Sequence, residues 1–506
     1  MWKLTLSKVT VVCVFCLPAA IPSSAQTFTT LVTFNGANGE DPRGSLVQGT
    51  DGNFYGTTFF GGANNVSACA GFGFGGCGTV FKITAGGSLT TLYSFCAQTN
   101  CTDGRNPAGG LVQGSDGSFY GIANGGGANN DGTVFKITPQ GMLTTLHDFN
   151  ARIDGAGPLG GLVLASDGNL YGTTQFWGTH GVLGLGGTVF RITQAGTLTT
   201  LYSFCAQTNC TDGANPQAAL IQAIDGNLYG TTSQGGASTN CTSGCGTVFT
   251  ITSSGVLVTL HSFSGADGSL LSAGLVQIAD GSLYGTTENG GPANWGTVFK
   301  ITTSGTFSTL HSFCAPMACT DGSGPRTGLV QGTDGNLYGA ASFGGASSKC
   351  TAGCGTLFKI SASGTLTALH SFSGADGQDP LGMVQGTDGS FYGITGAVRG
   401  TLGNSDGTVF NLSVSLGPFV MTSPTSGQVG AAVIILGNNL TGTTGVSFNG
   451  TAATFTVVSN SEIQTTVPVG ATTGIVQVTA PAGVLNSNVP FQVTKPRKRR
   501  TQLTSE

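Results

Sequence analysis

The segment LVQIADGSLYGTTENGGPANWGTVFKITTSGTFSTLHSF, residues 275–313, contains four short runs rich in Val, Ile, Thr, Tyr and Phe, separated by Asp-Gly, Gly-Gly and Ser-Gly pairs. Those residue types favour the pleated, half-buried surface of a β-strand, and Asp-Gly adopts the positive φ angles of a tight hairpin turn. The apolar residues do not recur at helical spacing. The segment therefore predicts four short antiparallel strands.

The same unit recurs seven times between residues 27 and 415. Its turn aspartate returns every 51 to 65 residues, at Asp51, Asp116, Asp167, Asp225, Asp280, Asp334 and Asp388. Periods near 50 residues with four strands per copy are typical of β-propeller blades. We therefore predict an all-β chain with a seven-bladed β-propeller over residues 26–415. A solenoid or two smaller barrels are the alternatives.

The repeat array begins and ends in the middle of a unit. The strand Thr30–Phe34 has no GTVF run before it, and the run Gly407–Ser413 has no TLxxF run after it. Unpaired strand edges promote aggregation, so we predict that the first strand completes the last blade. The loops after each LYGTT run and the links between blades would then share one face, called here the variable-loop face. Binding surfaces usually lie on such loops.

Composition and the first residues point to an exported protein. Only 8% of the 506 residues are charged and the net charge is −4, which argues against nucleic acid as a partner. Lys3 and Lys8, the apolar run from Val9 to Leu17 and the small residues before Gln26 predict a signal peptide over residues 1–25. The apolar run is too short to span a bilayer. A lipoprotein acylated at Cys13 or Cys16 is the weaker alternative.

Twelve of the 14 cysteines follow that leader and fall into six close pairs. Local disulfides are expected, since an even cysteine count behind an export signal is typical of an oxidising compartment. The alternative is structural zinc, which needs four ligands from two such pairs. The predicted disulfides are Cys69 with Cys77, Cys96 with Cys101, Cys205 with Cys210, Cys241 with Cys245, Cys314 with Cys319, and Cys350 with Cys354.

The pattern changes after residue 415. Residues 416–493 alternate apolar and polar positions between short turns, which predicts a small immunoglobulin-like β-sandwich. Residues 494–506 include the basic run KPRKRR at 495–500 and are predicted to be a disordered basic tail.

The repeat unit DGxxYGTT…GGxxxxGTVFKITxxGxLTTLxSF resembles the tandem GloVer repeat (choice-of-anchor) family of secreted and cell-surface bacterial proteins. The resemblance implies no established enzymatic activity and varied C-terminal anchoring or accessory segments. Residues 416–493 are similar to the IPT/TIG domain, through Ser426-Gly427, Phe448-Asn449-Gly450 and Val467-Pro468. That resemblance implies a spacer or interaction module.

Candidate ligand contacts lie on the variable-loop face. A second set of Asp-Gly pairs occupies the links, and its side chains can either cap turns or meet a ligand. Trp177 and His180 stand together in the long loop of the third repeat. Carboxylate pairs such as Glu40 with Asp41, or Glu288 with Asp131, are not singled out by their spacing. The binding residues that we predict are Asp103, Asp154, Asp212, Asp321, Trp177 and His180.

These features predict a secreted or cell-surface, monomeric, non-enzymatic binding or scaffold protein. Its expected partner is a glycan or an extracellular or envelope protein. We predict no catalytic residue, metal ligand, cofactor, nucleic-acid partner or transmembrane span. The alternative is a polysaccharide-degrading enzyme, a glycoside hydrolase or lyase, with its site at the mouth of the propeller channel.

Overall fold

The computed structural model describes residues 26–69, 75–181, 184–314, 319–398 and 405–494. The predicted signal peptide, and the predicted tail beyond Thr494, lie outside these residues. The described part is all-β apart from three short 3₁₀ turns at Ser67–Cys69, Thr99–Cys101 and Thr208–Cys210. Within those ranges, none of the helices has the length and apolar content that crossing a bilayer requires.

Seven antiparallel sheets follow one another in the repeat region, one for each copy of the unit. The innermost strands are Val47–Gln48, Val112–Gln113, Val163–Leu164, Ile221–Gln222, Val276–Gln277, Val330–Gln331 and Pro380–Gln385. The second strands are Phe54–Phe60, Phe119–Ala123, Leu170–Thr174, Leu228–Thr232, Leu283–Thr287, Leu337–Ala341 and Phe391–Thr395. The first sheet has an extra strand, Glu40–Pro42, which pairs with Phe54–Phe60.

The GTVF-like runs form the third strand of each sheet and the TLxxF runs form the outermost strand. The third strands are Thr79–Ile83, Thr133–Ile137, Thr188–Ile192, Thr247–Ile251, Thr297–Ile301, Thr356–Ile360 and Thr408–Ser413. The outermost strands are Leu89–Ser94, Leu143–Asp148, Leu198–Ser203, Leu257–Ser262, Phe307–Ser312, Leu366–Ser371 and, for the seventh sheet, Thr27–Thr33.

The predicted pairing of the first strand with the last is confirmed. Thr27–Thr33 runs antiparallel to Thr408–Ser413, with Thr27 opposite Ser413 and Thr33 opposite Thr408. The Phe34 N–H extends the ladder by donating to the Gly407 carbonyl at 3.0 Å. Residues near the two ends of the array therefore belong to one sheet.

The second strand of every sheet is buried on both sides, and a central glycine makes this packing possible. In the fifth sheet, a Cβ built on Gly285 would lie 2.5 Å from the Phe299 ring. The same aromatic approach occurs at the corresponding glycine of the other repeats, for example 2.6 Å at Gly172. The Tyr-Gly pair of the repeat is thus a packing requirement of the strand pair.

A separate hydrophobic core fills the space between each sheet and the next. Seven such cores alternate with the seven sheets, and the seventh joins the last sheet to the first. In that closing core the rings of Phe54 and Tyr392 stack with centroids 4.0 Å apart, and Phe34 lies 5.3 Å from Phe81.

The C-terminal residues form two four-stranded sheets around one core. The first contains Met421–Ser423, Ala432–Leu436, Glu462–Thr466 and Phe455–Val457, and the second contains Thr451–Ala452, Gly445–Phe448, Val476–Ala480 and Gly483–Asn486. Ser426–Gly427 pairs in parallel with Gln492–Val493. Buried Val433, Ile435 and Ile463 face Val446 and Phe448 in the shared core.

This C-terminal unit contacts the side of the repeat array that carries the Asp-Gly turns. The Ser461 hydroxyl donates to the Thr50 carbonyl at 2.7 Å, and the Phe419 N–H donates to the Thr387 carbonyl at 3.0 Å. Thr50 and Thr387 immediately precede the turn aspartates of the first and seventh repeats. The C-terminal unit therefore contacts the face opposite the variable loops.

The closing strand can be tested by truncation. We expect a mature chain that lacks residues 26–34 to aggregate or to unfold at lower temperature, because Thr408–Ser413 becomes an open edge and the Phe34 site an open cavity. A synthetic peptide of residues 26–34 should restore the thermal midpoint in scanning calorimetry, whereas a peptide carrying F28D and F34D should not. Equal rescue by both peptides would contradict the pairing.

Candidate functional site

The predicted link aspartates tie each outer strand to the link that follows it. Asp103 is fully buried, and it accepts hydrogen bonds from the Tyr93 hydroxyl at 2.8 Å and from the Ala97 N–H at 2.9 Å. Burial and the Asp103 hydrogen bond together raise the Tyr93 pKa above its ordinary value. Asp212 holds Tyr202 in the same way, at 2.9 Å.

Other links use a histidine in place of the tyrosine. His147 Nε2 lies 2.7 Å from Asp154 Oδ2, and His311 Nε2 lies 2.9 Å from Asp321 Oδ2. The same 2.9 Å contact joins His261 to Asp267 and His370 to Asp376. These carboxylates already accept hydrogen bonds within the protein, and a ligand role for Asp103, Asp154, Asp212 and Asp321 stays a prediction.

Trp177 and His180 lie in an exposed loop of the third repeat. Trp177 is 40% exposed, and the His180 backbone N–H donates to Ser203 Oγ at 3.2 Å. The Gly178 N–H donates to the Ala151 carbonyl, which brings this loop against the link that carries Asp154. Asp103, Asp212 and Asp321 lie in the links of other repeats, so the predicted residues do not form one site.

Links from all seven repeats instead converge on a cavity of about 720 Å³, called here the mouth cavity. This volume is within the range of about 300–1,000 Å³ for small-molecule sites. The link backbones touch beneath it, because a Cβ on Gly44 would lie 2.4 Å from the Gly109 carbonyl carbon. Each repeat contributes one side chain at the same link position: Arg43, Ala108, Leu159, Gln217, Ser272, Arg326 and Leu381.

Arg43 is fixed at the wall of the mouth cavity from two directions. Its Nε donates to Asp41 Oδ2 at 2.7 Å, and its guanidinium carbon lies 3.8 Å from the centre of the Phe59 ring. The Asp41 Oδ1 atom accepts the Ala397 N–H of the seventh repeat at 3.1 Å. The side chain of Arg43 lines the cavity and is 41% exposed.

Arg326, in the sixth repeat, has a closely similar setting. Its Nε donates to Glu288 Oε1 at 2.9 Å, and its guanidinium carbon lies 4.9 Å from the centre of the Phe343 ring. The Glu288 carboxylate also accepts the Ser272 hydroxyl at 3.3 Å. The wall therefore carries two guanidinium groups, each oriented by a carboxylate and supported by an aromatic face.

Asp379 lines the mouth cavity together with Asp41. Burial raises its pKa above the ordinary value, and Asp41 and Glu288 add to that shift, while Arg326 opposes it. The Arg326 Nη1 atom lies 4.0 Å from Asp379 Oδ2. A carboxyl group in this setting holds its proton to higher pH than an exposed aspartate does.

The sequence carries a signal for the link contacts and a weaker one for the mouth cavity, but neither signal identifies the partner of each residue. Every Tyr or His in the TLxxF run is followed by an Asp-Gly pair in the link six to ten residues later, while the closing strand carries Val32 and its link has Asn38-Gly39 at that place. That coincidence marks a contact. For the mouth cavity, the only sequence signal is that two repeats have an arginine at a link position where the other five have an uncharged residue. Trp295 in the fifth repeat is 48% exposed, comparable to Trp177, although the sequence pattern does not mark it as a candidate.

A family model described as the Gloeobacter/Verrucomicrobia repeat matches residues 19–243 and 237–458 of the chain. These two tandem matches confirm the repeat family to which the sequence pattern pointed. No curated protein matches the sequence.

Several solved structures are similar to the chain at low identity. An extracellular domain assigned to a hybrid two component system from B. thetaiotaomicron has 10% identity and a TM-score of 0.48, with 92% of this chain and 57% of that one covered. A luciferin-regenerating enzyme has 11% identity and a TM-score of 0.39, with 78% and 98% covered. The PQQ-bound aldose sugar dehydrogenase from Streptomyces coelicolor has 14% identity and a TM-score of 0.38, with 61% and 93% covered.

The link contacts predict a loss of stability in acid. Burial raises the pKa of the Asp267 carboxyl, but hydrogen bonds from Ser264 and from His261 outweigh burial and lower it; Asp376 is held low by Ser373 and His370 in the same way. A depressed folded-state pKa stabilises the fold above the unfolded pKa of about 4, and this contribution is lost as pH falls through the folded pKa.

We therefore expect the double variant D267N/D376N to be less stable than the wild type at pH 7 and to lose less stability between pH 5 and pH 2. Thermal midpoints from circular dichroism across that range measure both effects. The variant S264A/S373A, which removes only the hydroxyl donors, should fall between the two. If the thermal midpoints of the double variant and of the wild type fall equally between pH 5 and pH 2, these links do not control the loss of stability in acid.

Proposed function

This chain belongs to the Gloeobacter/Verrucomicrobia repeat family, and from that premise we propose an exported binding protein in which a closed seven-bladed β-propeller presents the mouth cavity to a ligand. The seven sheets with alternating cores and the pairing of Thr27–Thr33 with Thr408–Ser413 support the ring. The observation that carries the function is the pair of oriented arginines, Arg43 and Arg326, at one cavity.

The ends of the chain are part of this proposal. Residues 1–25 act as a signal peptide, residues 26–415 form the propeller, and residues 494–506 carry the basic run KPRKRR. Residues 416–493 form an IPT/TIG-like, immunoglobulin-like sandwich that serves as a spacer. Its contacts with the Asp-Gly turn side, which leave the variable loops accessible, support that role.

Export to the cell surface or medium as a monomer completes the proposal. Six disulfides join the cysteine pairs in the structure, from Cys69–Cys77 to Cys350–Cys354. Disulfides persist in oxidising compartments and are rare in the cytosol. They brace the variable-loop face, where rigid loops reduce the entropy lost on binding.

The chemistry of the mouth cavity favours a hydroxyl-rich ligand, and we propose a glycan. Each arginine offers fixed N–H donors beside a carboxylate that accepts, and neighbouring sugar hydroxyls both donate and accept. The charges of Arg43 and Arg326 are balanced by Asp41 and Glu288, so the site does not require an anionic ligand.

Binding can be tested with a glycan array followed by calorimetry on the strongest hit. Loss of a hydrogen bond from a charged group costs about 1.5–3 kcal/mol, which corresponds to roughly 10–100-fold in affinity. We expect R326A and R43A each to weaken binding by that factor. R152A removes an exposed arginine of a variable-face link and should leave affinity unchanged.

If R152A loses as much affinity as R43A and R326A, or if R43A and R326A both keep full affinity, the ligand does not bind at the mouth cavity. A chain that binds no glycan but captures an envelope protein in a pull-down would replace the glycan with a protein partner.

One observation favours the alternative, a polysaccharide-degrading enzyme. Glycoside hydrolysis uses two carboxyl groups, one of them protonated, and the mouth cavity places Asp379, with its raised pKa, near Asp41 and Glu288. Both Asp41 oxygens are engaged, by Arg43 and by the Ala397 N–H, and Glu288 is engaged by Arg326 and Ser272. We therefore expect no turnover.

Incubation of the wild type with the array hit, followed by assay of newly formed reducing ends or unsaturated products, tests this expectation. Release by the wild type that D379N abolishes, while R152A retains it, would establish the enzyme instead. Activity retained in D379N, and lost from a preparation depleted of the chain, would show that the chain is an enzyme whose acid is not Asp379.

A further inference from the structure

Two of the six disulfides lie against each other. Cys69–Cys77, in the variable loop of the first repeat, meets Cys96–Cys101, in the link that follows the same sheet. The Cys69 and Cys96 Sγ atoms, which belong to different disulfides, are 3.6 Å apart. All four Sγ atoms lie within 4.8 Å of one another, and all four residues are buried.

This spacing is close to that of a tetrahedral thiolate site. With Zn–S bonds of about 2.3 Å, the sulfur atoms of such a site are about 3.8 Å apart. The contact between the two disulfides already has this separation. After reduction, the two sulfurs of each former disulfide must move apart to about 3.8 Å to complete the tetrahedron.

The surroundings give access to the cluster. Cys96 and Cys101 line an open hollow of about 600 Å³, together with Val66, Arg105 and Asn130. A small reductant can therefore approach the Cys96–Cys101 disulfide from solvent, and Cys69 Sγ lies 3.6 Å behind it. Arg105 in the same hollow carries positive charge, which favours thiolates over thiols.

We propose that Cys69, Cys77, Cys96 and Cys101 form one redox-gated site, which binds a single Zn²⁺ ion as a tetrathiolate when both disulfides are reduced. Two equivalents of a dithiol supply four electrons and four protons, which convert two disulfides into four thiols. Zn²⁺ then displaces four protons and takes four sulfur ligands. Two equivalents of a small-molecule disulfide then accept four electrons by thiol–disulfide exchange, so that the four thiolates form two protein disulfides, four small-molecule thiolates leave, and the ion is released.

The third repeat provides a matched control. Its link 205–213 has the sequence CAQTNCTDG, identical to link 96–104, and carries the disulfide Cys205–Cys210. The loop that faces this link, residues 175–187, contains no cysteine. A reduced Cys205–Cys210 pair therefore offers two ligands where the first repeat offers four.

The experiment uses the mature chain, reduced with a dithiol under argon and exchanged into reductant-free buffer, with Co²⁺ as the spectroscopic probe and Zn²⁺ as competitor. Tetrahedral cobalt thiolates show intense visible bands and near-ultraviolet charge-transfer bands. We expect one Co²⁺ per chain with these bands, their disappearance on addition of one equivalent of Zn²⁺, and no bands for the oxidised chain. The far-ultraviolet spectrum records folding throughout.

The variant C96S/C101S should lose the tetrathiolate spectrum, and C69S/C77S provides a second route to the same loss. C205S/C210S should retain the spectrum in full. The proposal is wrong if the reduced wild type remains folded without binding Co²⁺ in this form, or if it unfolds without binding. It is equally wrong if C205S/C210S removes the bands as completely as C96S/C101S does.

Discussion

In every repeat a buried tyrosine hydroxyl donates to the aspartate of the preceding turn, and the cores between sheets depend on this hydrogen bond. The seven distances run from 2.7 Å for Tyr229 and Tyr392 to 3.1 Å for Tyr120. The tyrosine ring fills the space between two sheets, as Tyr55 does by stacking on Phe119 at 4.0 Å. An unpaired hydroxyl there would cost about 1–3 kcal/mol. The turn aspartate therefore allows a large aromatic group to be buried and at the same time fixes the hairpin.

The link aspartates also combine a turn with a hydrogen bond to an aromatic side chain, and the sequence alone does not show the second role. An Asp-Gly pair in a loop is compatible with a turn and with a ligand site, and the spacing of Asp103 or Asp321 does not distinguish the two. The deciding partner is Tyr93 or His311, on the preceding strand. Strand content, repeat number and the pairing of the terminal strands followed from local patterns. The link contacts depend on how the chain bends after each outer strand, which local patterns do not specify.

The mouth cavity could not be predicted from local sequence patterns, because its residues are far apart in the chain. Arg43 and Arg326 are 283 positions apart, and only the packing of successive sheets brings their links to one cavity. Their carboxylate partners also come from different places: Asp41 precedes Arg43 by two residues, whereas Glu288 comes from the neighbouring fifth repeat. The sequence indicated which face varies, but the residues named there, Trp177 and His180, lie in one peripheral loop.

The charges at the mouth cavity bear on the choice between binding and hydrolysis. A general base must lie within hydrogen-bond reach of the proton that it removes. Asp41 and Glu288 use their oxygens to orient arginines and loops, and donors and acceptors fixed in this way reduce the entropy lost when a ligand binds. Asp379 differs, because burial raises its pKa more than Arg326, 4.0 Å away, lowers it. A protonated carboxyl can donate to a sugar hydroxyl as readily as to a leaving group. Hydrolysis would also need a second carboxylate, and the hydrogen bonds that Asp41 and Glu288 accept within the protein compete with that role.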